Sequence, residues 1–196
     1  AFNPSIIKDD NGDYWIAFRS SNYTFTENRI TVRLTTGNRV RNRIFLAKLN
    51  KDDYWSIDET TLVEVSTKNI KPDAIRGLED PRLFVDEDSN YCISATYLEK
   101  DSPIARIAKI KIKSLEDPVV LSLDIYPSPR NQVEKNWMPV MWTNSFIYDY
   151  CSAIVDGELV EHDVNEKYKE FRGGTQIIPL GDGTGIGLIH EVYMVT

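Results

Sequence analysis

The feature that most restricts the fold of this chain is a hairpin pattern that recurs with a fixed internal spacing. In three places a segment that ends in aliphatic residues precedes a turn rich in Asp, Asn or Gly, and an apolar run begins ten residues after Pro4, Pro81 or Thr175. Asn, Asp and Gly tolerate the positive φ that tight reversals need, while β-branched and aromatic residues favour strands. The pattern therefore predicts three β-hairpins of one design, with a looser copy at residues 138–150.

Two further apolar segments follow each of the first two hairpins. They cover residues 43–49 and 61–65 after the first hairpin, and residues 105–112 and 119–123 after the second. Apolar and basic residues alternate in the first segment of each pair, which is the period of two expected for a half-buried strand. We therefore expect an all-β chain of four-stranded antiparallel units, at approximately residues 1–66, 75–125, 133–162 and 170–196.

Repeated four-stranded units are typical of the blades of a β-propeller, and a β-sandwich is the competing all-β architecture. Polar residues recur at or just before the first strand of each unit, at Asn3, Asp80, Asn136 and Arg172. In a propeller the innermost strands converge on a central channel, so these side chains would meet at one mouth. Because the chain begins at Ala1 and stops within the fourth unit, we expect a single propeller domain that is incomplete.

The composition narrows the classes of ligand. A formal net charge of −7 argues against a nucleic-acid partner, since phosphate contacts require a basic face. No apolar run approaches the roughly 18 residues needed to cross a bilayer, so we expect no membrane span. Cys92 and Cys151 lie in apolar runs and are interpreted as core thiols. With only His162 and His190 available, the sequence predicts no metal site and no bound cofactor.

The densest group of charged residues lies at the start of the second unit, where Arg76, Glu79, Asp80 and Arg82 fall within seven positions. Such crowding shifts pKa values in both directions, because cations keep one carboxyl group ionised while desolvation keeps another protonated. A carboxyl group that stays protonated near neutral pH can act as a general acid. The alternative interpretation is a cluster of salt bridges at a strand edge.

Two more candidate groups precede the third and fourth units. Trp137 beside Lys135 and Asn136 offers the mixture that binds sugars, with a ring for the CH face and polar groups for the hydroxyls. The alternative is a buried Trp with solvated neighbours. Arg172 precedes two glycines that allow a ligand to approach the backbone, so it could grip an anion; the alternative is a plain loop.

Arg19 and His190 hold the same place in the aligned second strands, so we expect both to face the same region. For His190 the alternative is a satisfied core position. Cationic residues thus gather at the ends of units in a chain that is acidic overall. This distribution predicts a local pocket for an anion such as phosphate.

Four short motifs resemble, in order, the signature positions of glycoside hydrolase family 130 and its relatives. The motifs are Phe2-Asn3-Pro4-Ser5-Ile6, Gly77-Leu78-Glu79-Asp80-Pro81-Arg82, Glu134-Lys135-Asn136-Trp137 and Gly187-Leu188-Ile189-His190-Glu191-Val192. That group comprises β-mannoside phosphorylases, β-1,2-mannosidases and related β-mannosyltransferases, all on a five-bladed β-propeller. The resemblance spans nearly the whole chain, and its Glu-Asp-Pro-Arg sequence is the most specific part.

The resemblance implies an enzyme that acts on β-mannoside-type glycosides with inversion, and with inorganic phosphate or a sugar phosphate as co-substrate. Asp80 would be the general acid, delivering its proton toward the glycosidic oxygen by way of a sugar hydroxyl. Arg82, Lys135 and His190 match positions that hold the attacking phosphate. The full set of predicted binding residues is Asn3, Arg19, Glu79, Arg82, Lys135, Asn136, Trp137, Arg172 and His190.

Other functions stay open at this point. A glycosyltransferase or a hydrolase would use the same scaffold, and a hydrolase would need a carboxylate base, for which Glu134 or Glu191 could serve. A propeller that binds glycans or proteins without turnover would need neither acid nor base. The discriminating observation is whether Asp80 and the basic residues converge on one pocket.

Overall fold

The computed structural model describes residues 2–25, 32–35, 37, 39–53, 56–69, 77–98, 104–130, 133–149, 151–161 and 171–191. Within these ranges the regular structure is β-strand, apart from one 3-10 turn at Glu59–Thr61. The all-β class that the turn residues and strand periodicity predict is therefore confirmed.

Most of the strands form three four-stranded antiparallel sheets, and within each sheet the strands pair in sequence order. The first sheet contains β1 (Phe2–Lys8), β2 (Tyr14–Ser21), β5 (Asn42–Lys48) and β6 (Val63–Glu64). The second contains β7 (Glu79–Val85), β8 (Tyr91–Leu98), β9 (Ala105–Ile112) and β10 (Val120–Ile125). The third contains β11 (Met138–Pro139), β12 (Phe146–Asp149), β13 (Ser152–Val155) and β14 (Glu158–Glu161).

The remaining strands form two-stranded ribbons. β3 (Tyr23–Phe25) pairs with β4 (Val32–Leu34) as an insertion between the second and third strands of the first sheet, which the repeat did not predict. β15 (Phe171–Gly173) pairs with β18 (Ile189–Glu191), and β16 (Ile178–Pro179) pairs with β17 (Gly185–Ile186). The predicted return strand of the fourth unit is thus broken at residues 187–188, and its two halves pair with different partners.

The repeated turn has the same construction in the first two sheets. Asp9 Oδ1 accepts hydrogen bonds from the backbone N–H groups two and four residues later, at 3.0 and 2.8 Å. Asp86 Oδ1 accepts the equivalent bonds at 3.1 and 2.9 Å. Three residues after each aspartate comes a positive φ, 78° at Gly12 and 62° at Ser89, and Gly183 holds the same place in the β16–β17 turn with a φ of 84°. The turn is therefore set by side-chain bonds and by residues that accept left-handed backbone.

The first strands of the first two sheets share a bulge. The register of β1 on β2 shifts between residues 2 and 5, and the register of β7 on β8 shifts between residues 79 and 82. Asn3 and Asp80 lie inside these bulges with φ values of 48° and 54°, and Asn136, just before β11, has a φ of 62°. A bulge re-aims the side chain at its centre, and Asn and Asp tolerate this conformation better than most residues.

The second sheet lies between the other two. Six consecutive residues of β8, Cys92–Tyr97, are buried, so both faces of the sheet are covered, whereas burial alternates along β2. On one side the N–H of Leu83 donates to Ser5 Oγ of the first sheet at 2.9 Å. On the other side Phe84 packs against Phe146 of the third sheet, with 5.9 Å between ring centroids. One hydrophobic core therefore joins all three sheets.

The segment before β16 contacts the starts of two other sheets. Ser5 Oγ donates to Gln176 Oε1 at 3.2 Å, and Val140, next to β11, forms a parallel bridge with Ile177. β1 also contacts β7. The first strands of the three sheets and the segment before β16 therefore meet in one region, and the candidate site lies at one end of it.

Candidate functional site

Two carboxylates and one arginine meet where β1 and β7 begin. Arg19 Nη1 lies 3.4 Å from Glu79 Oε2 and 3.4 Å from Asp80 Oδ1. Asn3 Nδ2 donates to the same oxygen of Asp80 at 2.5 Å. Arg19 is buried, while the side chain of Asp80 is 17% exposed. The bulges of β1 and β7 thus aim Asn3 and Asp80 at each other across the two sheets.

Glu79 is held by Asn42, and Asn42 by Ser21, neither of which the sequence singled out. Asn42 Nδ2 donates to Glu79 Oε1 at 2.9 Å, and the hydroxyl of Ser21 donates to Asn42 Oδ1. Gly77 lies against the same asparagine with a φ of 80°, and a Cβ on Gly77 would stand 2.4 Å from Asn42 O. Only glycine fits such an approach, so the glycine two residues before Glu79 was the available signal for this contact.

Arg82 is buried and links chain segments through its guanidinium group. Nη1 donates to the backbone oxygen of Asp80 at 3.1 Å, and Nη2 donates to Gly173 O at 2.8 Å, with Asn136 Oδ1 at 3.5 Å. Burial lowers the pKa of Arg82, and the negative charge of Asp80 opposes this shift. Nε is buried and has no hydrogen-bond partner among the described residues. Arg82 thus joins the second sheet to β15, and at 6% exposure it presents little surface to a phosphate ion, which argues against its expected role as a direct ligand.

Trp137 is a core residue. It is 2% exposed, its ring packs against Tyr126, Phe146 and Tyr148, and its Nε1 donates to Glu134 Oε2 at 3.0 Å. The expectation that Trp137 stacks on a sugar ring is wrong, because no face of the indole is open to a ligand. The alternative interpretation of a buried Trp holds, although one neighbour, Glu134, is buried with it.

Glu134 is equally committed to the core. Its Oε1 accepts hydrogen bonds from Ser128 Oγ at 2.6 Å and from Tyr148 OH at 3.1 Å, in addition to the bond that Oε2 accepts from Trp137. A base that activates water needs a carboxylate oxygen open to that water. The suggestion that Glu134 serves a hydrolase in this way is therefore wrong for this conformation.

The other predicted cations lie near Arg82 but at the surface. Lys135 is exposed and adjoins Asn136, which contacts Arg82. Arg172 is exposed and adjoins Gly173, whose carbonyl oxygen accepts the Arg82 bond, and His190 pairs with Arg172 across the ribbon. The structure therefore brings Asn3, Arg19, Glu79, Asp80, Arg82 and Asn136 into one connected group, with Lys135, Arg172 and His190 at its rim.

Gly173 and Gly174 are required where they stand. A Cβ on Gly173 would lie 2.2 Å from Asn136 O and 2.4 Å from Met138 Cγ, and one on Gly174 would lie 2.8 Å from Leu188 O. The paired glycines thus allow close contacts within the protein. The sequence predicts instead that they allow a ligand to approach the backbone. Arg76, the side chain of Glu191 and His162 lie outside the described residues.

The group joins a partly exposed carboxyl group to a buried arginine and lies beside three exposed side chains, those of Lys135, Arg172 and His190. Asp80 Oδ1 is engaged by Asn3 and lies next to Arg19, whereas Asp80 Oδ2 accepts no hydrogen bond from a described residue. A partly exposed carboxyl group with one oxygen anchored is oriented for contact with a ligand.

Comparison with known proteins leaves the chain without a match: no protein-family model, no curated protein and no solved structure matches it. In the part of the chain that the structure describes, no group of three or more His, Cys, Asp or Glu side chains could hold a metal ion. The same part contains no helix long and apolar enough to cross a membrane.

Proposed function

We propose that this chain is a carbohydrate-active enzyme on a five-bladed β-propeller scaffold, and that it transfers a glycosyl unit of a β-mannoside-type substrate to or from phosphate with inversion. The scaffold is supported by consecutive four-stranded antiparallel sheets whose first strands meet in one region. The substrate class is supported by the resemblance of four short motifs to the family of β-mannoside phosphorylases.

The observation that carries the proposal is the placement of Asp80. Its carboxyl group is partly exposed, is anchored through Oδ1, and sits where the first strands of two sheets begin. Asp80 would donate its proton toward the glycosidic oxygen through a sugar hydroxyl, while phosphate attacks the anomeric carbon from the opposite face and the C–O bond breaks.

The exposed cations are the proposed contacts for phosphate. Lys135, Arg172 and His190 lie at the rim of the group and are open to solvent. Arg82 is the proposed positioning residue, because it holds Asn136 and Gly173, the chain neighbours of Lys135 and Arg172. Charge-assisted contacts of this kind are among the stronger ones that a protein makes to an oxyanion.

The test is phosphate-dependent release of a sugar 1-phosphate from a panel of β-mannosides, with Asp80→Asn as the key variant. We expect the substitution to lower the rate by about 10² to 10⁴, because general acid catalysis typically contributes that much. The fold should survive, since Asn tolerates the positive φ of this position and Arg19 keeps Glu79 as a partner. Asp124→Asn, an exposed acid in β10, is the matched control and should keep full activity.

The outcomes separate the competing functions. Release of the free sugar without phosphate would indicate a hydrolase, and binding of the panel without turnover would indicate a glycan-binding protein. Full turnover by Asp80→Asn would remove Asp80 from the mechanism.

A second variant tests the phosphate contact. Lys135→Ala should raise the KM for phosphate more than it lowers kcat, because a fixed cation contributes to binding before and during transfer. An unchanged KM for phosphate would exclude Lys135 from the anion site. The affinity for the glycoside, measured without phosphate, serves as the internal control.

A further inference from the structure

A separate cavity of about 440 Å³ opens at the ends of β2 and β5 in the first sheet. Its wall is built around Asn22, whose side chain donates to Arg39 O at 2.8 Å and accepts from the N–H of Arg41 at 2.7 Å. The backbone oxygen of Asn22 accepts from the N–H of Thr35 at 2.9 Å. These bonds join the two ends of the segment that carries β3 and β4, next to the ends of β2 and β5. The cavity is therefore a shaped feature with a volume in the range of ordinary ligand sites.

The lining of the cavity combines cations, hydroxyl groups and one aromatic ring. Arg41 and Arg43 supply the cations, and Ser20 and Thr35 carry the hydroxyl groups. Among the described residues no carboxylate pairs with Arg41, whereas Glu64 Oε2 lies 3.5 Å from Arg43 Nη1. A guanidinium group binds carboxylate or phosphate with two parallel hydrogen bonds, so the lining is suited to an oxyanion.

The aromatic ring belongs to Phe45. It stacks on Phe18 with 5.9 Å between centroids and an interplanar angle of 19°, so its orientation is fixed from one side. Arg43 lies two positions earlier in β5 and faces the same side of the sheet as Phe45, because side chains alternate along a strand. An apolar ring beside hydroxyl groups suits the CH face and hydroxyls of a sugar. The lining thus fits a hydroxylated ring that carries a negative charge.

The cavity adjoins the carboxylate pair through a short chain of hydrogen bonds. Ser21 lines the cavity, its hydroxyl donates to Asn42 Oδ1, and Asn42 Nδ2 donates to Glu79 Oε1 at 2.9 Å. We infer that this cavity is a subsite for a sugar unit bearing an anionic group, either a carboxylate or a phosphate, next to the unit held at Asp80. This inference rests on the proposed function for its description as a subsite, while the binding itself can be measured without turnover.

The experiment is calorimetric titration of the protein with mannose 6-phosphate, mannuronate and mannose. We expect the two anions to bind at least about tenfold more tightly than mannose, since hydrogen bonds to charged groups carry that much extra free energy. Arg41→Gln and Arg43→Gln should each lower the affinity for the two anions by about three- to tenfold and leave the affinity for mannose unchanged. The ratio of the affinity for mannose 6-phosphate to the affinity for mannuronate identifies which anion the site binds. Lys68→Gln, an exposed cation outside the cavity, is the control and should bind like the wild type.

The position of binding is read from backbone amide shifts on addition of mannose 6-phosphate. Shifts at Ser20, Asn22 and Gly37 support the inference, and shifts confined to Asn3 and Asp80 overturn it. Equal affinity for mannose and the anions, or wild-type affinity in both arginine variants, also overturns it.

The two proposals fail separately. If the wild type turns over no glycoside, the proposed function is refuted. The anion site still stands if mannose 6-phosphate binds in an Arg41-dependent way to the wild type and to Asp80→Asn. If Arg41→Gln and Arg43→Gln change the turnover of charged and neutral substrates by the same factor, the proposed function stands and the subsite is refuted.

Discussion

Replacing Lys109 by Met tests the charge pair that fixes the hairpin turn of the second sheet. Lys109 Nζ lies 3.0 Å from Asp86 Oδ2, and the two side chains are only 12% and 4% exposed. The same ammonium donates to Asn144 Oδ1 in the turn between β11 and β12, so it also ties the second sheet to the third. Methionine keeps the apolar stem of the side chain and removes the charge.

The expected loss in the free energy of unfolding is about 3 kcal/mol. Removing one partner of a buried ion pair costs roughly 3–5 kcal/mol, because the other charge is left uncompensated. The lower end applies here because Asp86 keeps hydrogen bonds from the backbone N–H groups of Asp88 and Asn90 and from the Asn90 side chain. For a chain of this size the loss corresponds to a fall in Tm of about 6–12 °C.

The assay is urea denaturation followed by circular dichroism, with Lys113→Met as the matched control. Lys113 pairs with Asp117 at 2.8 Å in the loop after the same strand, but those side chains are 62% and 54% exposed. Such exposed pairs contribute little, so the control should unfold like the wild type. Equal losses in the two variants would refute the reasoning, because the effect would then not depend on burial.

The pH dependence provides a second check on the same pair. Burial opposes the charged form of Asp86, but the backbone N–H of Asn90 and the ammonium of Lys109 outweigh it, so the pKa of Asp86 lies below its ordinary value. A lowered folded-state pKa gives stability that is present above about pH 4 and is lost as the pH falls through the folded-state pKa. The difference in the free energy of unfolding between the wild type and Lys109→Met should therefore become smaller in acid. A constant difference from pH 7 to pH 3 would contradict the electrostatic account.

Two further predictions concern the site and the core. Gly173→Ala should lower the free energy of unfolding by about 1–3 kcal/mol, because the new methyl group would lie 2.2 Å from Asn136 O and must displace β15; an unchanged urea midpoint would contradict this. Burial and the nearby charge of Asp86 raise the pKa of Cys92 to about 12, so its thiol should react with a disulfide reagent at pH 8 only after denaturation. A Cys92→Ala variant should lose the thiol that reacts only after denaturation. If that thiol still reacts in the variant, its assignment to Cys92 is wrong.

Local rules accounted for the class of fold. The hairpins followed from turn residues within ten positions of one another, and Asp9 and Asp86 close the two turns with the same side-chain bonds. The alternation of apolar residues placed the long strands to within about two residues of their observed ends. These features depend on φ preferences and on a period of two, both of which are written in the local sequence.

The grouping of the site was also partly visible in the sequence. Asn3 and Asp80 recur at the start of a first strand, and the structure places them in hydrogen-bond contact although 77 positions separate them. The ribbon of β3 and β4 was not visible, since it does not belong to the repeat. Gly77 signalled a close approach before Glu79 but did not identify Asn42 as the residue approached. Only the packing of the first sheet on the second brings Asn42 to Glu79.

By itself the sequence determined the all-β class, the turns, and the positions at which polar side chains interrupt the first strands. The tertiary structure alone decided which of those side chains are open to a ligand. Trp137 and Arg82 were predicted to contact a ligand, yet both are buried, Trp137 among aromatic rings and Arg82 against the carbonyl oxygen of Gly173, 91 positions away. Burial depends on which faces of distant strands meet, and that information is spread over the whole chain rather than held in any one motif.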